Sequence, residues 1–462
     1  MKSRLILNLP LFTLCLLLVL FSSELKAQIF GVSKTTDAPL DAGIYETAPG
    51  FPITYTISFT ASNVFDIDIN DVLPPELVYL PGSVTVGGAA AGCSVTEPTG
   101  AGGTLNVNCP GGPINGVVTV TYTAEVDDIE DPNADLQEFI TNNVTVTGNN
   151  GAGTPYTSSS SATVKAERVV IQKSVLSTGP FTPGSIVEYQ VCFQFSEYTN
   201  NWNDIDIVDL IPDGVAYLTT TSFNISTSGT SIIPIEGTPT GGITPVRWDF
   251  GSTYTDAELS GAEGCFIYEA EILQTYDNGE PVLANDIFVN EAEGDYRLDS
   301  FVSGSDLSSG SFIVPIISAD KIELSTGPYS AGDEIDFQLI LQIPSGDADN
   351  VMITDQMPSG VFDYGALNTT FGGADISFDP SSDFQGSNPT VSLTGDNLVL
   401  DFGDLSSNTS TPQFIVVNLT LTVAPGASGI FNNIMLGNSI NSENFSTQAA
   451  DFEQIIVGAS DL

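Results

Sequence analysis

DIDIVDLIPDG, residues 204–214, alternates apolar and acidic side chains and then stops at a turn. On a strand, Ile205, Ile207 and either Leu210 or Ile211 face one way and the aspartates the other. Pro212-Asp213-Gly214 supplies the turn chemistry that ends it. The pattern occurs twice more, as DIDINDVLPPE at 66–76 and DADNVMITDQMPSG at 347–360. Each copy has two aspartates two residues apart, then a third aspartate three residues before a proline: Asp71 with Pro74, Asp209 with Pro212, Asp355 with Pro358. A motif returning at near-equal intervals marks one fold copied three times.

Alternating strands flank each motif. Ile53, Tyr55, Ile57 and Phe59 precede the first; Val118, Val120, Tyr122, Ala124 and Val126 follow it. Val187, Tyr189, Val191 and Phe193, then Phe266, Tyr268, Ala270 and Ile272, hold the same places in the second copy. Ile335, Phe337, Leu339 and Leu341, then Ile415, Val417, Leu419 and Leu421, hold them in the third. With 44 glycines, 27 prolines and no stretch that reads as a substantial helix, the expectation is all-β: three tandem Ig-like β-sandwich domains of about seven strands each, in an elongated array. The expected divisions are a signal peptide at 1–27, repeats at 28–165, 166–315 and 316–450, and at 451–462 the start of a truncated fourth repeat. That last reading makes the chain a fragment. The links, such as Val164 to Arg168, are expected to be short, like string between beads.

The first 27 residues carry Lys2 and Arg4, an apolar run from Leu5 to Phe21 and Leu25-x-Ala27, the order of an export signal cleaved before Gln28. Cys15 lies inside the apolar run behind Leu14, which argues against a lipid anchor. No later run is long and apolar enough to span a bilayer, so no membrane insertion is expected after cleavage. A formal charge of −47 excludes nucleic acid and anionic lipid as partners. At 41% hydrophobic residues in strong alternation, the composition is not that of a disordered chain.

The chain has no histidine, which removes Ser-His and Cys-His catalysis and His-ligated metal sites. No phosphate-binding glycine loop or CxxC spacing occurs. The regular carboxylates belong to a motif present in every copy, whereas an active site is seldom triplicated in series. The chain is therefore read as a non-enzyme with no catalytic residues. Four cysteines remain after cleavage and pair within repeats as Cys93–Cys109 and Cys192–Cys265. Cys192 and Cys265 each fall one step out of phase with the apolar set of their strands, so both face away from the core. The aspartate pairs Asp66/Asp68, Asp204/Asp206 and Asp347/Asp349 are candidate Ca²⁺ ligands, since two carboxylates at i, i+2 on a strand point to one side; the alternative is a solvated acidic face. No cofactor is required, and Ca²⁺ at these pairs is the one candidate. Trp202, Tyr198 and Trp248 are candidates for a carbohydrate-binding face, against the alternative of core or edge packing.

The repeats resemble the bacterial conserved repeat called domain of unknown function eleven. The features that carry the resemblance are Lys173 on an opening strand, Gly184 with Val187 and Tyr189, Asp209-Leu-Ile-Pro212 and Asn285. Gly332-Asp333 and Asp355 to Pro358 fit well in the third repeat, while Gly50-Phe51-Pro52 departs from the pattern in the first. The resemblance covers nearly the whole mature chain and implies surface-displayed Ig-like stalks. It supplies no catalytic residue. The function read here is an exported, non-enzymatic cell-surface or extracellular stalk or adhesin of a bacterium, with other surface proteins or glycans as partners. The alternative is a carbohydrate- or protein-binding accessory module of a larger extracellular enzyme.

Four lysines remain in the mature chain, and three of them, Lys34, Lys173 and Lys321, stand on the opening strand of each repeat. In bacterial surface sandwiches such a lysine can form an isopeptide bond to an Asn or Asp of the final strand, assisted by a buried acid. The acids offered are Asp71, Asp209 and Asp355. The ends offered are Asn142 or Asn143, Asn285 or Asp286, and Asn432 or Asn433, with Asn142, Asn285 and Asn432 taken first. The alternative is an ion pair between each lysine and the same aspartate, without reaction.

Overall fold

The structure is a computed structural model that describes residues 28–128, 137–198, 202–227, 230–298, 302–406 and 411–458; of residues 137, 202–204, 298, 302 and 303 it describes only the backbone. The expected signal peptide at 1–27 lies outside the described residues. The chain forms three β-sandwiches in series, each with its own apolar core.

The second sandwich shows the plan. One sheet runs Val169–Val175, Ile186–Phe195, Glu263–Ile272, Val215–Ile225; the other runs Ile235–Glu236, Thr244–Asp249, Trp202–Ile211, Ile287–Leu298, Val302–Ile313. The third repeats this four-on-five arrangement, with Ser318–Glu323 as opening strand, Ala348–Gln356 as motif strand, and Gly429–Ile440 and Ser446–Val457 as the closing pair. In the first, a single long strand, Pro52–Tyr79, passes from one sheet to the other. Its early part pairs with Gln28–Thr36 and Ile114–Val126, its later part with Ala101–Cys109 and Gln137–Asn149. The alternating residues face inward as expected: Ile205, Ile207, Val187, Tyr189, Phe266 and Tyr268 all lie in the second core. The expected seven strands fall short because short edge strands such as Ile235–Glu236 and Ile376–Phe378 are too brief to show a period. A four-residue helix, Asp256–Leu259, opens with a capping box from Thr255 and Glu258.

Two expectations change. Residues 446–457 pair along their length with Gly429–Ile440, and Ile455 and Val457 enter the third core. The stretch read as the start of a fourth repeat is therefore the closing strand of the third, up to residue 458. The link from Val164 to Arg168 is also not string. The strand Pro155–Glu167 runs almost through it, Ala48 and Phe51 pack against Val170, and Arg168 is buried with its guanidinium on Asp128 and on the Tyr198 carbonyl. Gly50, at φ 92°, brings its backbone against Glu197 of the second sandwich, where any Cβ would overlap that side chain.

Candidate functional site: a buried lysine in each sandwich

The opening strand of each sandwich is hydrogen-bonded to one sheet and leans on the other. Lys34, Lys173 and Lys321 pair across the ladder with Ile57, Val191 and Leu339. Their main-chain N–H groups donate instead to side chains of the opposite sheet's last strand: Ser160 at 3.1 Å, Ser308 at 2.8 Å and Asp451 at 2.8 Å. These three acceptors occupy one structural row. Ser160, Ser308 and Asp451 face Val144, Ala292 and Met435 on the next strand, which in turn face Asp71, Asp209 and Asp355. The motif aspartate and the opening lysine are thereby brought together inside the sandwich in all three copies.

Each pair is fully enclosed. Lys34 Nζ donates to both oxygens of Asp71 at 2.5 and 2.6 Å; Lys173 Nζ donates to Asp209; Lys321 Nζ donates to Asp355 at 2.7 Å. All six side chains have no exposure to solvent. The ammonium also lies over an aromatic face, 5.1 Å from the Tyr55 centroid, 4.9 Å from Tyr189 and 4.9 Å from Phe337. Burial pushes Lys34 and Lys173 down to about 8 and lowers Lys321 as well, against the pull of the paired carboxylates. Burial likewise raises Asp71, Asp209 and Asp355. Both shifts move the pair toward a neutral amine beside a neutral acid, because the interior stabilises isolated charge poorly.

A buried asparagine completes each cluster. Asn142 donates to the Tyr122 hydroxyl at 2.6 Å, and that hydroxyl donates to Asp71 at 2.9 Å. Asn290 donates to the Tyr268 hydroxyl at 2.8 Å, which donates to Asp209 at 2.7 Å and accepts from Lys173 at 2.9 Å. In the third sandwich Leu419 replaces the tyrosine, and Asn433 turns its amide to Asp355 without a hydrogen bond of normal geometry. Each asparagine stands two residues before the residue facing the aspartate, so Asn142, Asn290 and Asn433 are equivalent.

Of the asparagines expected first, Asn142 lies in its cluster, whereas Asn285 and Asn432 lie outside theirs. Asn285 lies in a turn at φ 72°, five residues before Asn290. Asn432 is exposed, because one step along a strand reverses the face, and the alternative Asn433 takes the buried place. The asparagine strand is also the penultimate one and not the last. Asp286 serves the junction to the third sandwich, accepting from Tyr276 Oη at 2.7 Å, Leu283 N at 2.7 Å, Ser442 N at 3.0 Å and Ser442 Oγ at 2.6 Å. The sequence pattern marks Tyr122 and Tyr268 only as inward-facing strand residues, at the same point of the same alternating strand.

The aspartate pairs sit on β-bulges, which break the alternation expected to aim both carboxylates one way. Asp66 is at φ 48° and accepts from Gly111 N and Asn149, while Asp68 accepts from the amides of Asn70, Asn106 and Asn108. Asp206 pairs with Arg247 at 2.6 Å. Asp347 is buried and Asp349 half-buried; the side chain of Asp204 lies outside the described residues. Both expected disulfides are present, Cys93–Cys109 and Cys192–Cys265, the second joining residues directly opposite on neighbouring strands. Trp248 is fully buried and stacked on Phe266 at 4.3 Å between centroids, so it belongs to the core and not to a ligand face. The Trp202 side chain lies outside the described residues. Among the described residues, no helix is long and apolar enough to cross a membrane.

No protein-family model and no curated protein matches the sequence. Solved structures overlap it loosely, each at 11% identity. The C-terminal domain of the Streptococcus pyogenes antigen I/II-family protein AspA covers 63% of this chain and 100% of its own, at a TM-score of 0.26. A C-terminal fragment of the major pilin of Streptococcus agalactiae covers 62% and 91%, at 0.24. The Enterococcus faecalis MSCRAMM ACE covers 64% and 96%, at 0.22. At these scores no role passes from those proteins to this chain.

Proposed function

We propose that this chain is an exported, non-enzymatic stalk or adhesin of a bacterial surface, whose sandwiches are each fastened internally by the buried lysine. The observation that carries the reading is the threefold recurrence of one enclosed cluster, lysine, aspartate and asparagine, at equivalent strand positions. The repeat resemblance and the export signal in the sequence belong to the same reading.

The chemistry the cluster supports is closure of an amide. Within the buried pair the lysine proton passes to the aspartate, leaving a neutral amine and a carboxylic acid. The amine Nζ attacks Cγ of Asn142, Asn290 or Asn433, with the acid polarising the side-chain carbonyl. The proton lost by the amine goes through the aspartate to the departing nitrogen. One C–N bond forms, one breaks, and ammonia leaves; no oxidant or cofactor is consumed. Exclusion of water keeps the amine unprotonated and the amide from hydrolysis. The product ties the opening strand of one sheet to the penultimate strand of the other, which holds the sandwich closed when the chain is pulled.

Protease treatment of intact producing cells tests the location: peptides from residues 28–458 should be released from the surface. Their confinement to the lysed-cell fraction would overturn it. Stretching single chains tests the fastening: extension should omit the segments between Lys34 and Asn142, Lys173 and Asn290, and Lys321 and Asn433. Full extension of these segments would contradict it.

A further inference from the structure

Three carboxylates that no sequence pattern connects meet where the first and second sandwiches join. Glu46 comes from the strand Ile44–Thr47, Glu167 from Pro155–Glu167 and Asp306 from Val302–Ile313. One oxygen of each lies within 4.8 Å of the others, and all three residues are buried. Lys165 stands beside them, 3.1 Å from Glu46, 2.8 Å from Glu167 and 3.6 Å from Asp306. Asp306 also accepts the Ile171 N–H at 2.8 Å, which fixes it to the opening strand of the second sandwich. The nearby acid Asp41 accepts from Ser308 at 3.0 Å and adds negative charge on the same side.

The cluster is under-compensated in two ways. Three carboxylates face one ammonium, so with all three ionised two negative charges would be left over in a buried site. The Oε2 atoms of Glu46 and Glu167 are shut away from water without a hydrogen-bond partner, and a buried acceptor left bare is costly. Burial, with Asp306 beside them, pushes Glu46 up to about 7 and Glu167 up to about 8, while Glu167 and Glu46 hold the Lys165 ammonium well above its usual range despite burial.

We propose that Glu46, Glu167 and Asp306 form a calcium site that locks the first sandwich to the second. The ligands are hard oxygens on strands, the class Ca²⁺ takes. The two charges of the ion together with that of Lys165 balance the three carboxylates, and the bare Oε2 atoms gain a partner. Mg²⁺ fits poorly, since it keeps most of its own water and demands near-octahedral geometry. The site is independent of amide closure at the buried lysines. It also differs from the pair Asp66/Asp68, whose oxygens already accept from Gly111 N and from the amides of Asn149, Asn70 and Asn106.

Equilibrium dialysis of the full mature protein against Ca²⁺, in about 0.15 M salt to screen the acidic surface, counts the ions bound. Wild type should hold one ion more per chain than Glu46→Gln/Glu167→Gln, and Asp66→Asn/Asp68→Asn should match wild type. Lys165→Met removes the competing ammonium and should tighten Ca²⁺ binding severalfold. Equal counts in wild type and the double glutamine variant, or equal occupancy by Mg²⁺, would overturn the proposal. If the double variant fails to fold, the Lys165→Met titration decides alone, and unchanged affinity there overturns it.

Discussion

Lys321 and Asp355 meet at 2.7 Å with both side chains wholly enclosed, and Leu419 stands where the second sandwich has Tyr268. In the second sandwich the Tyr268 hydroxyl touches both members of the corresponding pair. The third pair thus lacks that hydroxyl, and the Asn433 amide beside it makes no hydrogen bond of normal geometry. Removing one leaves an uncompensated buried group, which costs about 3–5 kcal/mol. Lys321→Ala should therefore loosen its sandwich more than Lys173→Ala loosens its own, where Tyr268 still donates to Asp209. Replacing both members by apolar residues, Lys321→Met with Asp355→Leu, should recover most of the loss. Hydrogen exchange of the strands 334–343 and 186–195 reads each sandwich separately; equal loosening would contradict the ranking.

Asp286 gathers four donors at the junction of the second and third sandwiches, two of them from Ser442. Asp286→Ala strands the buried Leu283 N–H and frees the Ser442 loop, at a cost of about 1–3 kcal/mol. Protease cutting in residues 441–445 should accelerate while both sandwich cores keep their exchange protection. Unchanged cutting would show that the junction rests on apolar contacts such as Ala284 in the third core.

The junction of the first and second sandwiches should weaken as pH rises. Glu46 and Glu167 have folded-state values of about 7 and about 8, above the ordinary 4.5. The folded state therefore holds more protons than the unfolded one between these limits, and stability falls as pH climbs through them. In chelator, exchange at residues 44–47 should quicken from about pH 5 to about pH 8, and Glu167→Gln should flatten the response. Exchange that slows over this range once corrected for its intrinsic pH dependence would reverse the sign.

Strand alternation and the recurring aspartate made the sandwiches, Lys34, Lys173, Lys321 and their acid partners legible, because a period of two assigns faces without knowledge of register. The asparagines were harder. Asn285 matches Asn142 by its neighbouring letters, yet a turn intervenes before the strand begins at Ile287, and Asn290 takes the buried place. Asn432 and Asn433 differ by one step, and adjacent identical residues cannot say which faces inward. Glu46, Glu167 and Asp306 are far apart along the chain, and only the packing of two sandwiches assembles them. The bulges under the aspartate pairs were hidden because Asp66 and Asn350 reach positive φ without a glycine to mark them.

Cys192 and Cys265 close a loop of 73 residues across adjacent strands. Cys192→Ser/Cys265→Ser should lower the stability of the second sandwich by about 2–4 kcal/mol and leave the exchange of the third unchanged. Loosening of both would show that the two sandwiches unfold as one unit.

The intact mass of the exported protein, measured after reduction and denaturation, tests the amide closure most directly. The account predicts a mass below that calculated from the mature sequence by one ammonia for each of the three sandwiches, with one ammonia regained in each of Lys34→Ala, Lys173→Ala and Lys321→Ala. A mass equal to the calculated one would contradict it and leave three buried ion pairs.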